Sequence, residues 1–192
     1  MKIGVLALQG DFIEHQKIME GLGAQVSQVR LPSDLKSLQG LVIPGGESTT
    51  IGKLTMDFNL MEPLRQFARE HAVWGTCAGS IFLSKDASRQ QPLLGMMDIK
   101  VERNAFGRQV DSFEIDLDIP CLKKVSDEDT PFHAIFIRAP LIESVGKDVE
   151  VLASLPDGRI IAAQEGHWLA TSFHPELTGD TRFHRYFMEM IQ

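Results

Sequence analysis

The sequence predicts an α/β fold: three layers, α/β/α, around a mixed and mostly parallel sheet. Three features predict it. In the first half, short apolar runs rich in β-formers alternate with amphipathic helical stretches, the pattern of a parallel sheet covered on both faces. In the second half, extended segments follow one another with few helices between them, which makes the sheet mixed. No repeat or low-complexity stretch divides the 192 residues, so 1–192 reads as one domain with a sizeable core.

Residues 2–8, KIGVLAL, form the first strand, ended by Gln9, Gly10 and Asp11. FIEHQKIMEGLG follows as a helix, with Phe12, Ile13, Ile18, Met19 and Leu22 as its apolar positions and Gly23 at its C-terminal cap. AQVSQVRL alternates like a strand. GLVIPGG, residues 40–46, is a strand running into a Pro-Gly-Gly turn, after which Ser48, Thr49 and Thr50 are capping residues for a helix. MEPLRQFARE is helical, and AVWGT is a short strand that meets Cys77. DIKVERNAF, VDSFEIDLDI, AIFIRAP, VEVLAS, RIIAAQEG and WLATSFH are extended. The closing helix, TRFHRYFMEMI, carries Phe183, Tyr186, Phe187 and Met190 on one stripe. CLKKVSDEDTP reads as an exposed polar loop too short to be a linker.

Several classes of function are disfavoured at once. A formal charge of −7 with no Lys/Arg run argues against nucleic acid as a partner. No apolar run is long enough to span a bilayer, so no membrane is expected. The N-terminal apolar run breaks at QGD without a cleavage-site pattern and reads as a strand rather than a signal peptide. Cys77 and Cys121 make no disulfide framework, which places the chain in the cytoplasm with reduced thiols. No Cys/His cluster has ligand spacing, so no metal is expected.

In a sheet of this kind ligands gather beyond the carboxyl ends of the strands. Three loops fall there: QGD, PGGEST and CAGS. Cys77 stands where a strand turns into a helix, flanked by the small residues Gly75, Ala78 and Gly79 that a crowded nucleophile elbow needs. The helix beginning near Ala78 points free N–H groups at the thiol and favours thiolate, the reactive form. The N–H of Ala78, just after the nucleophile, can donate to an oxyanion, and that of Gly46 can complete the hole. Of six histidines, His174 stands out: it ends an apolar strand before Pro175, and Glu176 lies two residues on. In extended chain that spacing puts both on one face, about 6–7 Å apart. Glu176 would orient one imidazole nitrogen and leave the other for the thiol, a nucleophile–base–orienter set. His15, His71, His133, His167 and His184 have no such neighbour and read as surface or packing residues.

G-x-C-A-G after a strand, an upstream P-G-G-E-S and a downstream F-H-P-E together resemble class I (triad-type) glutamine amidotransferases. Within them, LQGD, PGGESTT, GTCAG, VERNAFGRQVDSFE, FIRAP and FHPELT resemble the glutaminase subunits of pyridoxal 5′-phosphate synthases over nearly the whole chain. The resemblance implies a flavodoxin-like class I glutaminase fold that releases ammonia from L-glutamine without a cofactor. It implies a separate (β/α)₈-barrel synthase subunit, in a hetero-oligomer, as the receiver of that ammonia. Carried over by motif, the nucleophile falls on Cys77, its His and Glu on His174 and Glu176. The glutamine-binding positions fall on Gly46, Glu47, Ser48, Arg103, Ile137 and Arg138, with Arg103 or Arg138 suited to the α-carboxylate. Gln9 and Gly10, at the same sheet edge, are expected to couple partner docking to the oxyanion hole. The residues alone leave three other readings open: a stand-alone thiol hydrolase of γ-glutamyl compounds, a glutaminase serving a different synthase, and a non-catalytic regulatory subunit.

Overall fold

A computed structural model describes residues 1–103 and 112–191. In chain order the elements are β1 (Lys2–Leu6), α1 (Phe12–Gly21), β2 (Gln25–Val29), β3 (Gly40–Ile43), α2 (Ser48–Asp57), α3 (Met61–Glu70), β4 (Ala72–Thr76) and α4 (Ala78–Leu83). They continue with β5 (Ser84–Asp86), β6 (Met97–Glu102), β7 (Ser112–Leu117), β8 (Phe132–Ile137), β9 (Leu141–Val145), β10 (Glu150–Ser154), β11 (Ile160–Glu165), β12 (Trp168–Thr171) and α5 (Arg182–Met190).

The main sheet runs β2-β1-β3-β4-β12-β11-β9-β6-β5, with β10 paired to β11. Strands β2, β1, β3, β4 and β12 are parallel. The pairs β12–β11, β11–β9, β11–β10 and β9–β6 are antiparallel, and β6–β5 is parallel. The expected mixed sheet is therefore present, its parallel half supplied by the alternating N-terminal elements plus β12. β7 and β8 form a separate antiparallel ribbon.

Alternation along the parallel strands explains the layers. Ile3 and Val5 of β1, Val42 of β3, Trp74 of β4 and Leu169 of β12 join one core with residues of α1, α5 and the ribbon. Leu6, Leu41, Ile43, Val73 and Ala170 join the other, with residues of α2, α3 and α4. Successive side chains of a strand point to opposite faces, and here both faces are apolar, so helices must cover both. Trp74 is fully buried and stacks near Phe183 (6.4 Å between centroids) and Phe187 (5.6 Å). Phe183 also meets Phe132 edge-on at 4.9 Å and Phe173 at 5.1 Å.

Several local expectations change. Ser48, Thr49 and Thr50 do not cap α2: Glu47 does, its carboxylate accepting from the Thr49 and Thr50 N–H groups. The 168–174 strand stops at Thr171, because His174 N–H turns to the Ile135 carbonyl of β8 at 2.9 Å. Strands β5 and β9 were not expected. The loop at 121–131 opens inside a 3₁₀ turn, Pro120–Lys124, that buries Leu122. Of the stretch VERNAFGRQVDSFE, residues 104–111 lie outside the described residues.

Phe183→Ala is expected to cost about 3–5 kcal/mol through the cavity left among the side chains of Trp74, Phe132 and Phe173. Phe58→Ala, at a side chain 44% exposed, should stay within about 0.5 kcal/mol. Urea denaturation of both variants measures the contrast.

Candidate active site

β4 and β12 lie side by side with Thr76 opposite Thr171. The residues that follow each strand therefore emerge together, which brings Cys77 and the 172–176 segment to one sheet edge. Cys77 has φ 47° and ψ −109°, a conformation unfavourable for a residue with a β-carbon, of a kind that costs on the order of 1–3 kcal/mol. Its neighbours hold it there: the Cys77 N–H donates to Thr171 O at 2.8 Å, and its carbonyl accepts from Ser80 N at 3.1 Å and Ser80 Oγ at 2.7 Å. The expected crowding is present. A β-carbon on Gly79 would overlap the Ile43 carbonyl oxygen, and one on Gly75 would lie 2.5 Å from Gly79 O.

The other loops close around this elbow. Gly10, at φ 96°, packs so tightly under Gly45 that a β-carbon would overlap the Gly45 carbonyl oxygen. Asp11 N–H donates to that oxygen at 3.2 Å. Gln9 Oε1 accepts from the Glu47 N–H at 2.7 Å and touches Gly46. Glu47 also accepts from both threonine hydroxyls and from Arg103 Nη2 at 2.8 Å. Burial works against its charge, but the Thr49 and Thr50 hydrogen bonds outweigh it and hold the carboxyl at a pKa of about 2.

His174 is 5% exposed and Glu176 6%. They meet through His174 Nδ1 and Glu176 Oε1 at 2.6 Å, and the geometry differs from the expectation. The chain is not extended there; Pro175–Leu177 is a 3₁₀ turn capped by His174. The tighter rise of the turn shortens the reach that an extended chain would leave open. Asp11 Oδ2 lies 3.7 Å from the same nitrogen. With Nδ1 engaged, Nε2 is left for Cys77, which lines the same cleft. Burial disfavours the imidazolium, but the contacts with Cys77 and Glu176 prevail and raise the pKa of His174 to about 10. Burial also raises Glu176, against the pull of His174. Among the described residues, the ligand atoms of Asp11, His174 and Glu176 come within 4.8 Å of one another, near enough to hold a metal. Here both carboxylates converge on one nitrogen, Nδ1, and the 2.6 Å contact is a hydrogen bond.

A cleft of about 510 Å³ opens on the elbow. Of the residues singled out from sequence, Gln9, Gly46, Glu47, Ser48, Cys77, Ala78, Arg103, Ile137, Arg138 and His174 line it. Glu176 stands behind His174 and Gly10 beneath Gly45. Asp11 of the QGD loop and His15 of α1 also belong to this site, and neither is marked by a motif of its own. Rather than a surface or generic packing residue, His15 is fully buried with Nε2 3.3 Å from Glu176 Oε2. Its signal was its place between Phe12 and Met19, three and four residues away on the inward stripe of α1.

A thiol on a strained elbow, an imidazole beside it and a carboxylate behind the imidazole define a thiol-dependent acyl-transfer class of enzyme on an α/β sheet. The chain belongs to the SNO glutamine amidotransferase family, which matches residues 5–192. It is 58% identical to the pyridoxal 5′-phosphate synthase subunit PdxT of Herpetosiphon aurantiacus, over 98% of this chain and 99% of that one. It is likewise 58% identical to the PdxT of Pelotomaculum thermopropionicum, over 98% and 94%. A crystal structure described as a glutamine amidotransferase superposes with a TM-score of 0.90 at 47% identity, over 98% of both chains. The PurLQS structure from Thermotoga maritima shares the fold, with a TM-score of 0.69 at 14% identity. No helix among the described residues is long and apolar enough to cross a membrane.

Opposite pH dependences follow from the buried histidines. His174 is raised, so its stabilisation is full below 6.5 and is lost as pH rises through about 10. Burial lowers His184 from 6.5 to about 3, with Asp180 opposing, and His15 is lowered too. The unfolded chain binds protons that the folded one excludes, so stability falls as pH drops from 6.5 towards 3. Melting temperature measured against pH should fall on both sides, and Cys77→Ala should pull the alkaline limit down.

Proposed function

We propose that this chain is the glutaminase subunit of a pyridoxal 5′-phosphate synthase, hydrolysing L-glutamine to L-glutamate and passing ammonia to a (β/α)₈-barrel synthase subunit. The observation that carries the reading is Cys77 and His174 on one cleft, with Glu176 bonded to His174 from behind, in a chain with near full-length likeness to PdxT proteins. The Cys77 thiolate attacks the carboxamide carbon of glutamine. The oxyanion that forms is held by the N–H groups of Gly46 and Ala78. His174 gives its proton to the departing ammonia, then takes one from the water that cleaves the thioester. Glu176 keeps His174 in the orientation and tautomer this requires. The reaction needs no metal or organic cofactor.

The cleft divides the substrate-binding work. Arg103 is paired with Glu47, whereas Arg138 is exposed on the cleft wall with no ion pair among the described residues. Arg138 is therefore the better receiver of the substrate α-carboxylate, and Glu47 holds Arg103 in place beside it. Ile137, Ser48 and Gly46 complete the wall.

Gln9 and Gly10 serve the coupling to the partner. Gln9 holds the peptide between Gly46 and Glu47 through the Glu47 N–H, and Gly10 packs against Gly45. A barrel docking on this edge moves the QGD loop and sets the oxyanion peptide with it. The chain works in the cytoplasm, where glutamine and the synthase subunit meet.

Glutamate release should require the barrel subunit; equal release without it would favour a stand-alone γ-glutamyl hydrolase. Cys77→Ala should lower release roughly 10⁴-fold or more; a variant that kept full function would mark a regulatory subunit. Arg138→Gln should raise KM roughly tenfold with kcat nearly kept. Gln9→Ala should weaken activation by the barrel; unchanged activation would exclude the coupling role.

A further inference from the structure

Behind the triad runs a column of buried polar side chains that the proposed reaction does not use. Glu176 Oε1 accepts the hydrogen bond from His174 Nδ1–H, but Oε2 receives no hydrogen bond of good geometry, although it is fully buried. His15 Nε2 stands 3.3 Å from it, and 3.2 Å from Thr76 Oγ1. On the far side of the ring, His15 Nδ1 lies 3.0 Å from His184 Nε2. Both histidines are 0% exposed, and both pack edge-on to Trp74, at 5.5 Å and 5.0 Å between centroids. The column thus joins α1, α5, β4 and the turn after His174.

An ionised carboxylate only accepts hydrogen bonds. Two imidazoles in contact share one proton between the facing nitrogens. With Glu176 charged, the favoured order of donors is His184 Nε2–H to His15 Nδ1, then His15 Nε2–H towards Glu176 Oε2, with Thr76 Oγ1 at 3.2 Å sharing that proton. The opposite order would set a lone pair of His15 against a carboxylate oxygen. We infer that His15 is a positioning residue for the triad: its Nε2–H holds the second oxygen of Glu176, and His184 fixes the His15 tautomer from behind. The inference rests on the glutaminase reading given above.

Other properties agree. Burial foremost, then His184 and His174, keep His15 neutral, so it has one proton to place. The 3.3 Å contact is long for a hydrogen bond, as such contacts often are before substrate arrives. A carboxylate gripped at one oxygen can swing about its bond to the chain; gripped at both, it holds the imidazole in one plane. The grip matters most when His174 passes its proton to the leaving ammonia and back.

The test is glutaminase turnover with the barrel subunit present. In His15→Gln the side-chain amide nitrogen falls near Nε2, whereas in His15→Asn it falls near Nδ1, and His15→Leu removes the donor. His15→Leu and His15→Asn should lower kcat roughly tenfold to a hundredfold, the loss expected of one hydrogen bond to a charged group. KM for glutamine should stay within about twofold, and His15→Gln should recover most of kcat. Unchanged kcat in all three, a rise in KM alone, or a glutamine variant as poor as the leucine one would each overturn the inference. Where variants fail to fold, the wild-type chain decides: nitrogen-15 NMR of the histidine rings should show His15 neutral with its proton on Nε2, and a proton on Nδ1 overturns the role. Cys77→Ala runs alongside. If it retains turnover the glutaminase reading itself fails, and if it loses turnover while the His15 variants do not, only this inference fails.

Discussion

Backbone approaches backbone at the carboxyl edge of this sheet, and the rest of the site is arranged around that approach. The first turn of α4 lies against the carbonyl oxygens of Ile43 and Pro44, with Gly79 at the contact, and Gly10 lies against the carbonyl of Gly45. Three loops from three strands are thereby stacked with almost no side chain between them. This spacing puts Gly46 and Ala78 on one cleft and presses the chain at Cys77 into a conformation that an isolated peptide would avoid. The strain persists because both backbone polar groups of Cys77 are bonded to neighbours that cannot easily move.

A second constraint lies behind the first. Glu176 and His15 are sealed between the sheet and the helices that cover it, and in so dry a place electrostatic contacts strengthen while unmet ones become costly. A buried carboxylate between two imidazoles is a poor way to stabilise a core, since packed apolar groups would serve as well. Its presence fits a demand for orientation rather than for stability. Trp74, whose indole N–H reaches Thr171 Oγ1 at 3.2 Å, shields this column and ties it to the strand that leads to His174.

Much of this was legible in the sequence, for identifiable reasons. Strand–helix alternation and two-faced apolar strands are written in residue types, so the layers and the parallel half could be read directly. The elbow was legible because small residues around Cys77 have few other uses. His174 and Glu176 were found through adjacency, although a turn, not a strand, joins them. What escaped was set by tertiary contact. The Glu47 cap competed with three better-known capping residues beside it. β9 is short, and its burial does not alternate cleanly. His15 carried no apolar signal of its own, and only the stripe it occupies gave it away.

Glu47 does two jobs with one carboxylate: it caps the start of a helix and it braces an arginine on the cleft wall. In evolutionary terms the position is pleiotropic. A substitution there is judged at once by how well α2 begins and by how the mouth of the cleft is shaped, so neither trait can drift alone. Selection for a sturdier fold and selection for a different ligand would meet at this residue.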